Sequence, residues 1–183
     1  MTDGPDRGGR ASAEGWELRP ALPGDVEAIA DLRAVVLRED LERLGRYDEH
    51  RVRQRLRDGY HPQYTSLLLV DDGGAGRGRA GCVTLRPAED GLHLEHFYLA
   101  PRYQGLGLGS AVLRSLLARA DAEGVPVRLS VLQGSAARRL YERHGFVPDS
   151  EDAVEVFMHR PAPVCAGAPV ATAPVTGHAG PAG

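Results

Sequence analysis

The segment Gln104-Gly105-Leu106-Gly107-Leu108-Gly109 constrains this 183-residue chain more than any other. Before it stands an apolar stretch, Leu92 to Leu99. After it, Val112, Leu113, Leu116, Leu117 and Ala120 recur at helical spacing. Alternating glycines let a backbone turn sharply and approach a ligand without Cβ clashes. The N–H groups open at the start of the next helix, with the positive end of its dipole, suit a phosphate or pyrophosphate. Strand, glycine turn and helix together predict an anion seat at the end of a strand.

The flanking pattern supplies the rest of the fold. Trp16-Glu17-Leu18-Arg19 alternates and predicts a first strand. Pro23-Gly24-Asp25 interrupts the chain, and Asp25 is the expected N-cap of a helix carrying Val26, Ile29, Leu32 and Val36. A charged second helix is predicted over Asp48 to Asp58, with Val52 and Leu56 as its apolar pair. Thr65 to Val70 and Ala80 to Arg86 flank a glycine-rich turn and predict a hairpin. Leu92 to Leu99 is a fourth strand, stopped by Pro101, and a helix follows from Ser110 to Glu123-Gly124. Val125 to Leu132 reads as a strand, Ala136 to His144 as a short helix, and Phe146-Val147 with Val154 to Met158 as a last hairpin. Strands follow one another directly and also across helices. The expected class is mixed α/β (α+β), a central sheet of about six to seven strands flanked by about four helices.

One compact domain is expected at 16–160, a length suited to a single core. Residues 1–15 and the Pro/Ala/Gly-rich stretch 161–183 have little to bury and are expected to be disordered tails. A formal net charge of −3 and a pI near 6.2 argue against a nucleic-acid partner held by bulk charge. No apolar run approaches the roughly 18–20 residues a bilayer needs, and the polar start lacks a secretory apolar stretch. A cytoplasmic protein is expected. Cys82 lies in an apolar run and Cys165 in the C-terminal stretch, so neither a disulfide framework nor a metal site is expected, and Cys82 reads as a buried thiol.

Three readings of the glycine segment compete: a plain turn, a dinucleotide loop, and a seat for the pyrophosphate of coenzyme A. Against the dinucleotide loop, Ser110 stands where its third glycine belongs, and Pro126 to Ser130 offers no acid for a ribose hydroxyl.

Gln104, Gly107 and Gly109 match the Gln/Arg-x-x-Gly-x-Gly/Ala element of the GNAT family of N-acetyltransferases. Leu99-Ala100-Pro101 resembles the hydrophobic-x-Pro element that precedes it. Leu140-Tyr141-Glu142-Arg143-His144-Gly145-Phe146 is similar to the family's LYExxGF ending. The resemblance covers Trp16 to Arg160. It implies acetyl-CoA as co-substrate, seated by Leu99, Ala100, Gln104, Gly105, Leu106, Gly107, Leu108, Gly109 and Ser110. It implies direct acetyl transfer to a primary amine of a small molecule or peptide, and is compatible with a homodimer. One departure is Gln133-Gly134-Ser135, where family members often carry Asn; Ser135 is the expected replacement as helix N-cap. The alternative from another class is a module that binds acyl-CoA to sense it, without turnover.

Direct transfer sets three tasks. The amine must shed a proton, since a lysine-like ammonium (pKa about 10.4) has no lone pair. The thioester carbonyl must be polarised, a task the resemblance gives to the Leu99 N–H. The departing thiolate must gain a proton, for which Tyr141 occupies the family's tyrosine position. Glu95 is the expected base and His96 the second candidate. On a regular strand His93, Glu95 and Phe97 share one face and Leu94, His96 and Tyr98 the other, unless a bulge exchanges them. Arg102 is a candidate phosphate contact. By analogy the region Leu37 to Pro62 borders the acceptor, which makes Tyr47, His50 and Tyr60 candidates there.

Overall fold

A computed structural model describes residues 15–71 and 76–163. Cys165 and nearly all of both expected tails lie outside the described residues. Of the first tail, Gly15 is described, and its carbonyl accepts from the Asp71 N–H at 3.1 Å.

The described residues form seven strands: β1 (Trp16–Pro20), β2 (Thr65–Asp71), β3 (Arg77–Ala88), β4 (Gly91–Leu99), β5 (Val127–Leu132), the fully exposed β6 (Val147–Glu151) and β7 (Glu155–Arg160). They make one sheet in the order β1-β2-β3-β4-β5-β7-β6. Every pairing is antiparallel except β4 with β5, as a crossover helix requires. The four helices are α1 (Val26–Arg43), α2 (Glu49–Asp58), α3 (Leu108–Glu123) and α4 (Ala137–Arg143). The mixed sheet and four helices are those expected. Among the described residues, no helix is long and apolar enough to cross a membrane.

Each face of the sheet has its own core, because successive strand side chains point to opposite sides. On one face Ile29 and Ala30 of α1 and Leu56 of α2 close over Leu67, Cys82 and Tyr98. On the other, Val112, Leu113, Leu116 and Leu117 of α3 and Tyr141 of α4 pack on Leu68, Val83, Leu94 and Val127. Burying a large apolar side chain such as Leu113 or Phe146 stabilises the fold by about 1.5–3 kcal/mol. Asp25 precedes α1 as expected, but its carboxylate caps nothing in that helix. It accepts from the Leu22 N–H and from Arg19, both at 2.9 Å, and so closes the turn ahead of the helix.

Two irregularities shape the middle of the sheet. The first is a bulge in β4. Thr84 faces Glu95 and Cys82 faces Tyr98, so the single residue Val83 spans both His96 and Phe97. His96 takes a left-handed φ of 48°, unusual for a side-chain-bearing residue. The bulge exchanges the faces from that point. Tyr98 lies with the α1–α2 core and Phe97 and Leu99 with the α3 core, the reverse of a regular strand. Gly81 of β3 accommodates the distortion, since a Cβ there would stand 2.1 Å from the Tyr98 carbonyl oxygen.

The second irregularity is a splay. β4 and β5 pair only at Leu92↔Val127 and His93↔Arg128, and beyond those two pairs the strands diverge. The gap opens toward the C-terminal ends of both strands, the end at which parallel α/β sheets place their ligands.

Candidate active site

The splay leaves a cleft of about 930 Å³. His93 to Tyr98 of β4 and Arg128 to Leu132 of β5 form its sides, Ala137 and Tyr141 of α4 close one end, and α1 and α2 form a wall. Glu95, His96 and Tyr141 are brought together on this one cleft. The glycine turn lies outside its lining, at the end of β4. Gly109 holds it there: a Cβ on Gly109 would meet Leu99 Cδ1 at 3.3 Å and Leu140 Cδ2 at 3.4 Å.

The turn has the build of an anion seat. Gly105 and Gly107 take left-handed φ values of 72° and 83°, and Gly107 caps α3. The N–H groups of Gly107, Leu108, Gly109 and Ser110 have no acceptor among the described residues, while Ala111 begins the helical ladder by donating to the Gly107 carbonyl at 3.1 Å. A Cβ at Gly105 or Gly107 would meet nothing within 4 Å, so the space beside the loop is open. Open donors on a helix start, beside free space, fit a pyrophosphate. Arg102 stacks on the Tyr103 ring, 4.7 Å from its centroid.

Gln104 does something its motif position does not disclose. Its Nε2 donates to the Leu99 carbonyl at 2.8 Å. The Ala100 N–H donates to the Ala80 carbonyl, toward β3. In an antiparallel ladder successive residues alternate edges, so the Leu99 N–H and carbonyl face the opposite edge, toward β5 and the cleft. One of that pair is held by Gln104, and the other is the N–H expected to meet the thioester.

The two base candidates sit in unlike surroundings. Glu95 is partly exposed, and its Oε1 accepts from Arg86 Nε at 3.0 Å and Nη2 at 2.8 Å. Burial alone would raise its carboxyl, but the Arg86 guanidinium outweighs that and holds it below the ordinary carboxylate value. His96 Nδ1 lies 3.4 Å from Thr84 Oγ1. Burial and then the nearby Arg33 charge push its imidazole down to about 4, so it is neutral at pH 7.

Tyr141 packs edge-on against Phe146, with ring centroids 5.7 Å apart. Burial raises its phenol well above the usual tyrosine value, so it keeps its proton. Tyr141 lines the cleft, and its hydroxyl bonds to no described residue. Ser135 supports the start of α4 only loosely: Ala137 N–H to Ser135 Oγ is 3.4 Å, and the residue at the cap is Ala136. Cys82 is buried as expected, and burial pushes its thiol up to about 12.

Residues between Leu37 and Pro62 do border the cleft, but not through the aromatic and histidine candidates. Tyr47 lies under Arg38, 4.9 Å from ring to guanidinium, in a separate shallow recess. Tyr60 spends its hydroxyl on the Leu22 carbonyl at 2.8 Å, and His50 is exposed away from the cleft wall. Arginines take that wall instead: Arg33, Arg46, Arg51 and Arg55. The signal for Arg33 was present, since it falls on the Ile29–Val36 stripe, where a helix buries its inner face.

Comparison with known proteins agrees with this geometry. The family model described as acetyltransferase (GNAT) family matches residues 29–146, and the chain belongs to that family. Its reaction is acetyl transfer and its co-substrate is acetyl-CoA. A search of curated protein sequences finds no match. Several solved structures share the fold at low identity. PaiA N-acetyltransferase from Thermoplasma acidophilum, in complex with coenzyme A, is 18% identical with a TM-score of 0.63, covering 80% of this chain and 98% of its own. The ribosomal-protein-S18-alanine N-acetyltransferase from Escherichia coli is 19% identical with a TM-score of 0.60, covering 81% and 95%. Ard1 from Thermoplasma volcanium is 19% identical with a TM-score of 0.59, covering 82% and 99%.

Proposed function

We propose that the protein moves acetyl from acetyl-CoA directly to a primary amine of a small molecule or peptide. The observation that carries this is the free Tyr141 hydroxyl, which shares one cleft with Glu95 and His96 at the splayed end of β4. The pyrophosphate takes the open N–H groups from Gly107 to Ser110, with Gly105 and Leu106 shaping the turn. Ala100 and Leu99 guide the pantetheine arm inward, and Gln104 braces Leu99.

The amine nitrogen attacks the thioester carbon, and the Leu99 N–H stabilises the charge that develops on oxygen. The C–S bond then breaks, and the leaving sulfur takes the Tyr141 proton, which solvent replaces. Glu95 accepts the proton the amine gives up, through its oxygen not bound to Arg86. His96 is the second candidate for that role. Retained donor and acceptor groups in the cleft favour turnover over an acyl-CoA sensor.

An amine panel with acetyl-CoA, read as free thiol, tests the reading. Thiol release that depends on an amine and collapses in Tyr141→Phe supports it. Tight coenzyme A binding with no release for any amine would favour the sensor.

A further inference from the structure

The cleft carries positive charge that the fold leaves unanswered. Three of the four carboxylates on its walls have a cationic partner: Glu95 takes Arg86, Asp40 takes Arg43 and Asp149 takes Arg128, while Glu155 accepts only from the neutral Ser130 Oγ. Arg33, Arg46 and Arg55 line the same cleft, and none has an ion-pair partner among the described residues. The other α1 acids do not supply one. Glu27 pairs with Arg57, Asp31 with Arg53 and Glu42 with Arg38, and Glu39 is exposed and outside the cleft lining.

Arg33 is the sharpest case. It projects from the buried side of α1, and its Nη1 donates to the Tyr98 hydroxyl at 2.8 Å, a neutral partner. Its Nε is buried with no acceptor, and Nη2 bonds to no described residue. A half-buried guanidinium without a counter-ion costs stability, as does an unpaired buried N–H. A carboxylate in the cleft would answer the charge through Nη2, the donor left open, with a charge-assisted bond. Position adds a second argument. The Arg33 guanidinium and the His96 ring lie 5.9 Å and 6.0 Å from the centre of the same Tyr98 ring. Both groups border the cleft that Glu95 also lines, so one acceptor can present its amine to a base candidate and an anionic group to Arg33.

We infer that the acceptor is an amine that also carries a carboxylate, as an amino acid does, and that Arg33 is the specificity residue that holds the carboxylate. This rests on the amine-acetylation reading above. It excludes polyamines and simple amines as good acceptors, since they would add positive charge to a cleft that already has an excess.

The test pairs each of the twenty amino acids with its own carboxamide, adds spermidine, and reads thiol release from acetyl-CoA. The expected result is an acid-over-amide ratio in kcat/KM of at least about tenfold, arising in KM, for the size of one charge-assisted bond or more. That ratio should fall toward one in Arg33→Gln and partly return in Arg33→Lys, with KM for acetyl-CoA unchanged. Amides or spermidine used as well as acids would overturn the inference while leaving amine acetylation standing. So would an unchanged ratio in Arg33→Gln, or a rise confined to KM for acetyl-CoA, which would assign Arg33 to the donor. If no amine releases thiol, the amine reading fails, and carboxylate recognition is judged by melting temperature in coenzyme A with N-acetyl amino acids against their amides. A shift for the acids alone, lost in Arg33→Gln, sustains it. No shift rejects it.

Discussion

Gln104 Nε2 donates to the Leu99 carbonyl at 2.8 Å, tying the glycine turn to the last residue of β4. The bond couples the phosphate seat to the edge that meets the thioester. Gln104→Ala should loosen both at once. One such bond is worth about 0.5–1.5 kcal/mol net, so kcat/KM for acetyl-CoA is expected to fall roughly two- to tenfold in steady-state kinetics. Glu at this position, unable to donate when ionised, should behave like Ala.

Tyr141 separates catalysis from stability. Its ring packs on Phe146, but its hydroxyl bonds to no described residue. Tyr141→Phe keeps the ring and removes the donor. Turnover at saturating substrate should fall about 10²-fold, the low end for a lost proton donor, while the melting temperature stays within a degree or so. A variant that melts normally and turns over normally would remove Tyr141 from the mechanism.

The pH dependence of the rate follows from Glu95 being held low by Arg86. Glu95 is already ionised throughout the neutral range, so it does not set the acidic limb of kcat/KM. That limb belongs to the acceptor amine and should move with the amine's own pKa across a substrate series. Glu95→Gln should lower the whole profile without moving its midpoint. A midpoint that shifts with Glu95→Gln would show that the carboxylate titrates in the working range.

His96 controls stability over a different window. Folded, its pKa is pushed down from 6.5 to about 4 by burial and the Arg33 charge. As pH falls from about 6.5 toward 4, the unfolded chain takes up a proton that the folded chain refuses, so stability is lost across that window and levels below it. The loss is on the order of 3 kcal/mol. Glu95 acts in the same direction lower down: its carboxylate stabilises the fold above about 4.5, and that contribution is lost as pH drops through its depressed folded value. Urea melts at pH 7 and pH 5 should show the slope, and His96→Gln should reduce it.

Much of this was readable in the chain because the relevant signals are local. The glycine turn, the α3 stripe from Val112 to Ala120 and the strand alternation each state their structure within about a dozen residues. Acetyl-CoA followed from Gln104, Gly107, Gly109 and the Tyr141 segment together. Long-range facts were not readable. Whether β4 is regular depends on Val83 spanning His96 and Phe97, and nothing in Leu92 to Leu99 announces it. Arg86 as the partner of Glu95 depends on cross-strand register, and Arg33 beside Tyr98 on how α1 crosses the sheet. Tyr47 and Tyr60 were candidates because, by analogy, their region borders the acceptor, but the Arg38 guanidinium and the Leu22 carbonyl hold them locally.

The parting of β4 and β5 after two residue pairs has a consequence for how the apo protein behaves over time. Beyond those pairs the facing edges of β4 and β5 are ladder halves without their other half, save that Gln104 holds the Leu99 carbonyl. A coenzyme whose pantetheine arm carries amide groups can serve as a substitute strand between them. The sheet is therefore complete only when loaded, and amide hydrogen exchange along those two edges should slow on donor binding far more than elsewhere in the sheet.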